Sequence, residues 1–205
     1  MSTPTTARRA ATRERLVEAA IGVIAHKGVL GASVEEICEA ADFTRGAFYS
    51  NFDSKDELCI AVLEHLCERH LTAARNAIQA MNDQMDLPER ISSTLRAFIA
   101  AAGEDANTIL VMSELRLHAA REAALRDAFN AFEASVTPLF ADLVGDGLRS
   151  AGLRLTVTTD EAISLLHAVY DQTALDQLIR GEQPASPVAV EQLGLVLRAM
   201  IAPAG

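Results

Sequence analysis

Long uncharged apolar runs are missing from this sequence. None reaches about 18 residues, and the opening MSTPTTARRAATRER holds no apolar core for a secretion signal. The expectation is a soluble cytoplasmic protein with no membrane partner. Sustained apolar/polar alternation is missing as well, tryptophan is absent, and alanine, leucine, glutamate and arginine dominate. Half-buried strands are thereby disfavoured, and the fold class expected is all-α. Cysteine is sparse: Cys38, Cys59 and Cys67 form an odd set without a Cys-x-x-Cys spacing, as reduced, packed thiols do. Gly-x-Ser-x-Gly, His-Glu-x-x-His, phosphate-loop and Glu-x-x-His patterns are all lacking. The chain is therefore read as no enzyme, with no catalytic residue, no cofactor and no resident metal.

What is present begins with 205 residues, half of them hydrophobic, enough for one or two domains with a real core. The formal net charge of −10 argues against blanket adhesion to nucleic acid. Its distribution is uneven. Residues 1 to 60 hold seven basic against nine acidic side chains, whereas the remaining 145 hold 11 against 19. Both lysines, Lys27 and Lys55, lie in the first part, together with Arg8, Arg9, Arg13 and Arg15. A local basic surface is possible there.

Apolar periodicity in residues 6 to 27, through Leu16, Val17, Ala20, Ile21 and Ile24, predicts a first helix that Gly28 stops in a left-handed conformation. Ser33 with Glu36 forms a capping box for a short second helix ending near Ala41. After a break at Ala41, Asp42 and Phe43, Thr44 caps a third helix running through Asn51. Ser54 with Glu57 is a second capping box, opening a long helix to about Met81. Further helices fit residues 88–102, 106–120, 121–150, 159–180 and 187–202, with Pro138 kinking the long one. Val190, Leu193, Leu197 and Met200 make an apolar seam on the last.

Two short helices joined by a three-residue turn and backed by a longer one make a helix-turn-helix, whose second helix enters the major groove of DNA. Residues 44 to 51 would be that helix. Arg45 can offer two donors to guanine O6 and N7, and Gly46 beside it lets the backbone come close. Tyr49, Ser50 and Asn51 supply polar groups that position the protein on phosphate. Ser33 and Ser54 sit at helix N-termini, which favour phosphate as well as simple capping, and Lys55 adds a full charge. Phe43, Phe48 and Phe52 read as core anchors of a small domain.

The stretch SVEEICEAADFTRGAFYSNFDSKDEL, residues 33 to 58, together with HKG at 26 to 28, resembles the DNA-binding domain of the tetracycline-repressor-like (TetR) regulators. The turn length, the Phe-Tyr pair, the Asn-Phe exit and the Ser-Lys-Asp-Glu-Leu start of the next helix carry the likeness, with one departure. Asp42 stands where that family usually has glycine. The resemblance implies a DNA-binding domain at residues 1–53 and a helical ligand-binding and dimerisation domain at 54–205. It implies that Thr44, Arg45, Tyr49, Asn51 and Lys55 face a double-stranded operator, and that Arg8 and Arg9 belong to an N-terminal arm. It also implies a homodimer joined through its last two helices, a repressor's role on an inverted repeat, and release by a small-molecule effector.

For that effector, Phe98, Met112, Phe129 and Phe132 offer apolar walls, and His118, His167, Tyr170 and Asp171 offer polar contacts. His167 and Asp171 are four residues apart, so the carboxylate can orient the imidazole. Two alternatives stand beside this reading: a metal- or thiol-sensing regulator using Cys59, Cys67 and His70, and a helical adaptor that binds only protein.

Overall fold

The computed structural model describes residues 4–81, 84–102, 105–182 and 187–204. Its helices are α1 (Pro4–Gly31), α2 (Val34–Ala40), α3 (Arg45–Tyr49), α4 (Lys55–Gln79), α5 (Leu87–Ala102), α6 (Ala106–Arg121), α7 (Ala123–Ser150), α8 (Thr159–Ile179) and α9 (Pro187–Ala199). The all-α expectation holds. Two three-residue strands, β1 (Leu153–Leu155) and β2 (Ile201–Pro203), add a small antiparallel ladder in which Arg154 pairs with Ala202. No helix among the described residues is long and apolar enough to cross a membrane.

The chain divides into two compact units, Met1–Leu66 with Leu110–Phe132, and Cys67–Ile109 with Glu133–Gly205. In the first, the α1 stripe of Leu16, Val17, Ala20, Ile21 and Ile24 is buried with Ile37 of α2, Phe48 of α3, Leu58, Val62 and Leu66 of α4, and Val111 and Leu115 of α6. Gly28 adopts φ 72°, ψ 164°, a combination essentially restricted to glycine. The expected stop is thus a kink instead, and helical geometry resumes to Gly31. The kink is held from two sides. The Val29 N–H donates to Glu114 Oε2 at 3.3 Å, and Lys55 Nζ donates to the carbonyls of Val29 (2.7 Å) and Ala32 (3.0 Å).

The break after α2 is a Schellman turn: the Asp42 N–H donates to the Glu39 carbonyl and the Phe43 N–H to the Cys38 carbonyl at 2.8 Å. Asp42 carries φ 58°, the left-handed conformation that the turn demands and that aspartate tolerates better than most residues. At the start of α2 the capping box is complete, with Ser33 Oγ accepting from the Glu36 N–H and Glu36 accepting from the Ser33 N–H. The second box is rearranged. Ser54 Oγ accepts from the Glu57 N–H, but the Glu57 carboxylate accepts from the Asp53 N–H at 2.7 Å, not from Ser54.

In the second unit Ile99, Ala189, Val190 and Leu193 are buried, with Leu95, Phe98, Leu166, Val169 and Tyr170 packed against them. Val190 and Leu193 therefore serve the chain's own core, which corrects the expectation of a dimer seam on that stripe. The large apolar side chains left exposed on α8 and α9 are Leu165, Ile179, Val188 and Leu195. Helix α9 ends at Ala199, three residues before its expected limit, because Ile201–Pro203 pair with Leu153–Leu155. Three residues are too short a run for alternation to register in the sequence. Helix α7 continues through Pro138.

Two outcomes are expected from this local chemistry. Replacing Asp42 with alanine costs about 1 kcal/mol more than replacing it with glycine, because only alanine meets the left-handed penalty in full; urea unfolding of the two variants measures the difference. Glu36 is the second. The hydrogen bond from Lys27, followed by those from the Ser33 backbone and hydroxyl, holds its carboxyl down at about 2, against an ordinary value of 4.5. A depressed carboxylate stabilises the fold above its unfolded value, and this contribution is lost as pH falls from about 4.5 towards about 2. The stability gap between wild type and Glu36→Gln should therefore close across that window in thermal unfolding, and a gap constant with pH would refute the assignment.

Candidate nucleic-acid interface

A five-residue helix is too short to stand alone in water, so α3 depends on its neighbours. Its inner side chain, Phe48, is fully buried and meets Phe52 with ring centroids 5.6 Å apart. Thr44 caps the helix, its Oγ1 accepting from the Ala47 N–H at 3.2 Å. With the inner side so fixed, Thr44, Arg45, Gly46, Tyr49 and Ser50 are exposed together.

Arg45 Nη1 lies 2.5 Å from Glu35 Oε1, and its guanidinium carbon is 5.8 Å from the Tyr49 ring centroid. The Tyr49 side chain first, and the Glu35 carboxylate second, push its pKa further up, so the group is charged at any working pH. A Cβ added to Gly46 would meet Thr44 Oγ1 at 3.7 Å, an ordinary contact. The protein's own packing thus gives no reason for glycine at 46, whereas a backbone approached closely by a partner does. Tyr49 presents half of its surface to solvent. Ser50 donates its hydroxyl to the Ala47 carbonyl at 2.9 Å and keeps acceptor capacity outward.

The other candidate residues are placed differently. Arg8 and Arg9 are exposed but lie on the first turns of α1, so they belong to a helix and not to an extended arm. Nothing between Thr5 and Arg15 breaks a helix, and alanine and arginine favour one. Ser33 is occupied by its capping box. Asn51 is 8% exposed and donates its amide to the Ala47 carbonyl at 2.8 Å, closing the end of α3. Lys55 points at the two carbonyls of the α1 kink. Both are turned inward, where they set the frame of the motif, while Arg45 and its neighbours on α3 stay exposed.

Three features escaped sequence reasoning. Glu35 pairs with Arg45. Arg13 and Arg15 of α1 brace the motif from behind: Arg13 donates to the Asn51 carbonyl at 2.7 Å and stacks 4.1 Å from the Phe52 ring, and Arg15 donates to the Ala41 carbonyl and stacks on Phe43. Glu114, far along the chain, reaches the α1 kink. The spacing of Arg13 and Arg15, two residues apart, carries no sign of this, since the partners are backbone carbonyls brought near by folding.

The candidate effector residues fall into both units. Met112, Phe129 and Phe132 pack in or against the core of the first, where His118 is buried with Nε2 3.7 Å from Asp56 Oδ1. Phe98 and Tyr170 line the apolar cluster of the second, with the Phe98 ring 6.4 Å from that of His70. His167 is exposed and its ring meets Phe140 edge-on at 5.9 Å; Asp171 is half-buried one turn on. Burial pushes the Cys59 thiol up to about 12 and that of Cys67 to about 11, so neither is a thiolate near neutrality. Among the described residues no group of three or more His, Cys, Asp and Glu side chains is arranged to hold a metal ion.

Lys55→Met tests the inward placement. Loss of two charge-assisted hydrogen bonds should lower folding stability by about 2 kcal/mol, read from urea unfolding without any nucleic acid present. An unchanged stability would mean that the ammonium faces outward.

Residues 16–62 match the sequence family described as bacterial regulatory proteins, tetR family. The chain is 37% identical over 79 residues to the probable acrEF/envCD operon repressor of Escherichia coli, covering 36% of each chain. It is 41% identical over 64 residues to the HTH-type transcriptional regulator TtgR of Pseudomonas putida, covering 31% of this chain and 30% of that one. The chain thus spans about a third of the length of the curated relatives it matches. In three dimensions it superposes along most of its length on a TetR-family member from Streptomyces coelicolor (25% identity, TM-score 0.61, 92% of this chain and 98% of that one). It superposes similarly on the regulator FadR of Bacillus subtilis in complex with stearoyl-CoA (17% identity, TM-score 0.70, 91% and 98%), a likeness of fold. The helix-turn-helix region thus matches the tetR family of bacterial regulatory proteins, and the chain around it has the fold of solved TetR-family regulators.

Proposed function

We propose that the protein is a cytoplasmic, non-enzymatic repressor that binds an inverted-repeat operator on double-stranded DNA as a homodimer and is released by a small-molecule effector. The observation that carries this reading is the outer surface of α3. Arg45, Gly46, Tyr49, Thr44 and Ser50 are exposed together on a helix whose inner side is locked, and Gly46 has no packing reason within the protein. Arg45 reads a guanine edge, while Thr44, Tyr49 and Ser50 hold phosphate. Arg8 and Arg9, on the exposed start of α1, add charge towards the backbone. The acidic remainder of the chain limits adhesion to unrelated DNA.

In functional terms residues 1–53 read DNA and 54–205 sense and dimerise, although residues 110–132 pack in the same unit as the helix-turn-helix. Leu165 and Ile179 on α8 recur at a 14-residue spacing, and Val188 and Leu195 on α9 at seven, so each pair shares a helix face. These exposed apolar pairs are the surface we assign to the second subunit. Phe98 and Tyr170, with His167 and Asp171 on α8, are the residues of the second unit that we assign to an effector with an apolar body and few polar groups. The effector acts by binding one of two conformations more tightly, which lowers operator affinity by the same coupling.

The test is selection of bound duplexes from a randomised pool at fixed salt, with wild type and Arg45→Ala in parallel. Wild type should enrich an inverted repeat whose half-sites lie about 34 to 36 Å apart or a multiple of it, and Arg45→Ala should enrich none. Folded wild-type protein that enriches no sequence would overturn the reading.

A further inference from the structure

We propose that Glu35 is a positioning residue for DNA reading, which holds the Arg45 guanidinium so that one two-donor edge stays presented to a guanine. The proposal rests on the assignment of Arg45 as the base-reading residue. Arg45 opens α3 and Glu35 lies in the first turn of α2, so their ion pair spans the two helices of the motif. Glu35 Oε1 engages Nη1 at 2.5 Å and so takes neither of the Nε and Nη2 hydrogens, the side-on pair that matches guanine O6 and N7. The Tyr49 ring, 5.8 Å from the guanidinium carbon, flanks the same group. Two partners on one flexible side chain reduce the freedom that it must lose on contact, and preorganisation of that kind strengthens the contact made in the correct geometry.

The charge of Glu35 has a second effect. A carboxylate beside the reading residue repels the phosphate backbone of any duplex, so it weakens sequence-independent binding. Its side chain is 55% exposed and that of Arg45 60%, and a pair so exposed adds little to folding stability. What remains is selectivity. By holding Nη1, Glu35 favours a guanine contact over the looser contacts that Arg45 would otherwise make with phosphate. Glu39, one turn along α2 on the same face and also exposed, carries the same charge and serves as its control.

The experiment is fluorescence anisotropy with the duplex recovered by selection and a scrambled duplex of equal composition, at one ionic strength. The proteins are wild type, Glu35→Gln, Glu39→Gln, Arg45→Ala and the double variant Glu35→Gln/Arg45→Ala. Glu39→Gln should strengthen binding to both duplexes by one factor and leave the preference unchanged. Glu35→Gln should strengthen binding to the scrambled duplex while reducing the preference for the selected one by about threefold or more, the scale of an exposed, well-oriented pair. On the Arg45→Ala background the Glu35 substitution should alter the preference no further. If Glu35→Gln behaves as Glu39→Gln does while Arg45→Ala still abolishes the preference, Glu35 acts only as a charge; the positioning role falls and the operator reading stands. If Arg45→Ala keeps the full preference of wild type, the assignment of Arg45 falls and that of Glu35 with it.

Discussion

The burial of Phe48 is the constraint on which the rest of the motif depends. Five residues of helix hold too few internal hydrogen bonds to fix their own direction, so α3 points outward only because one ring is driven inward. Phe52 receives that ring, Arg13 lies over Phe52, and the same guanidinium holds the Asn51 carbonyl where α3 ends. The outward presentation of Arg45 is therefore a consequence of hydrophobic packing and two stacked arginines.

Charge is divided between frame and surface in a way that counting does not reveal. Of the positive side chains in residues 1 to 60, Arg13, Arg15, Lys27 and Lys55 are committed to carbonyls or carboxylates within the unit. Arg8, Arg9 and Arg45 are the exposed remainder at this end, and Arg45 already shares its charge with Glu35. Composition allows a basic patch here, yet most of that charge works inside the protein. Only a small number of oriented donors stays exposed at this end.

Local signals in the sequence translated well. Ser33 and Glu36 close the capping box that their spacing indicates, Thr44 caps α3, and Asp42 takes the left-handed turn despite having a side chain. Each of these is decided by atoms within a few residues. The roles of Lys55 and Asn51 were not legible, because their partners depend on how helices cross: Val29 and Ala32 lie 26 and 23 residues from Lys55. The same holds for Glu114, whose carboxylate meets Val29 across 85 positions. The α9 stripe was legible as apolar but not in its destination, since periodicity marks a face to be covered and does not say whether the cover comes from the same chain. The candidate effector residues divide in the same manner, with Phe129 and Met112 packed beside the helix-turn-helix while Phe98 and Tyr170 pack with α9.

The small β1–β2 ladder has a topological effect out of proportion to its size. It joins Leu153 to Pro203, so α8 and α9 lie inside a closed loop whose two ends are hydrogen-bonded to each other, with Thr156 donating to the Met200 carbonyl as an added clasp. A terminal helix ordinarily frays from its free end, one turn at a time. Here the last turn of α9 has no free end to fray from. Opening of the last turn of α9 is thereby tied to opening of the clasp.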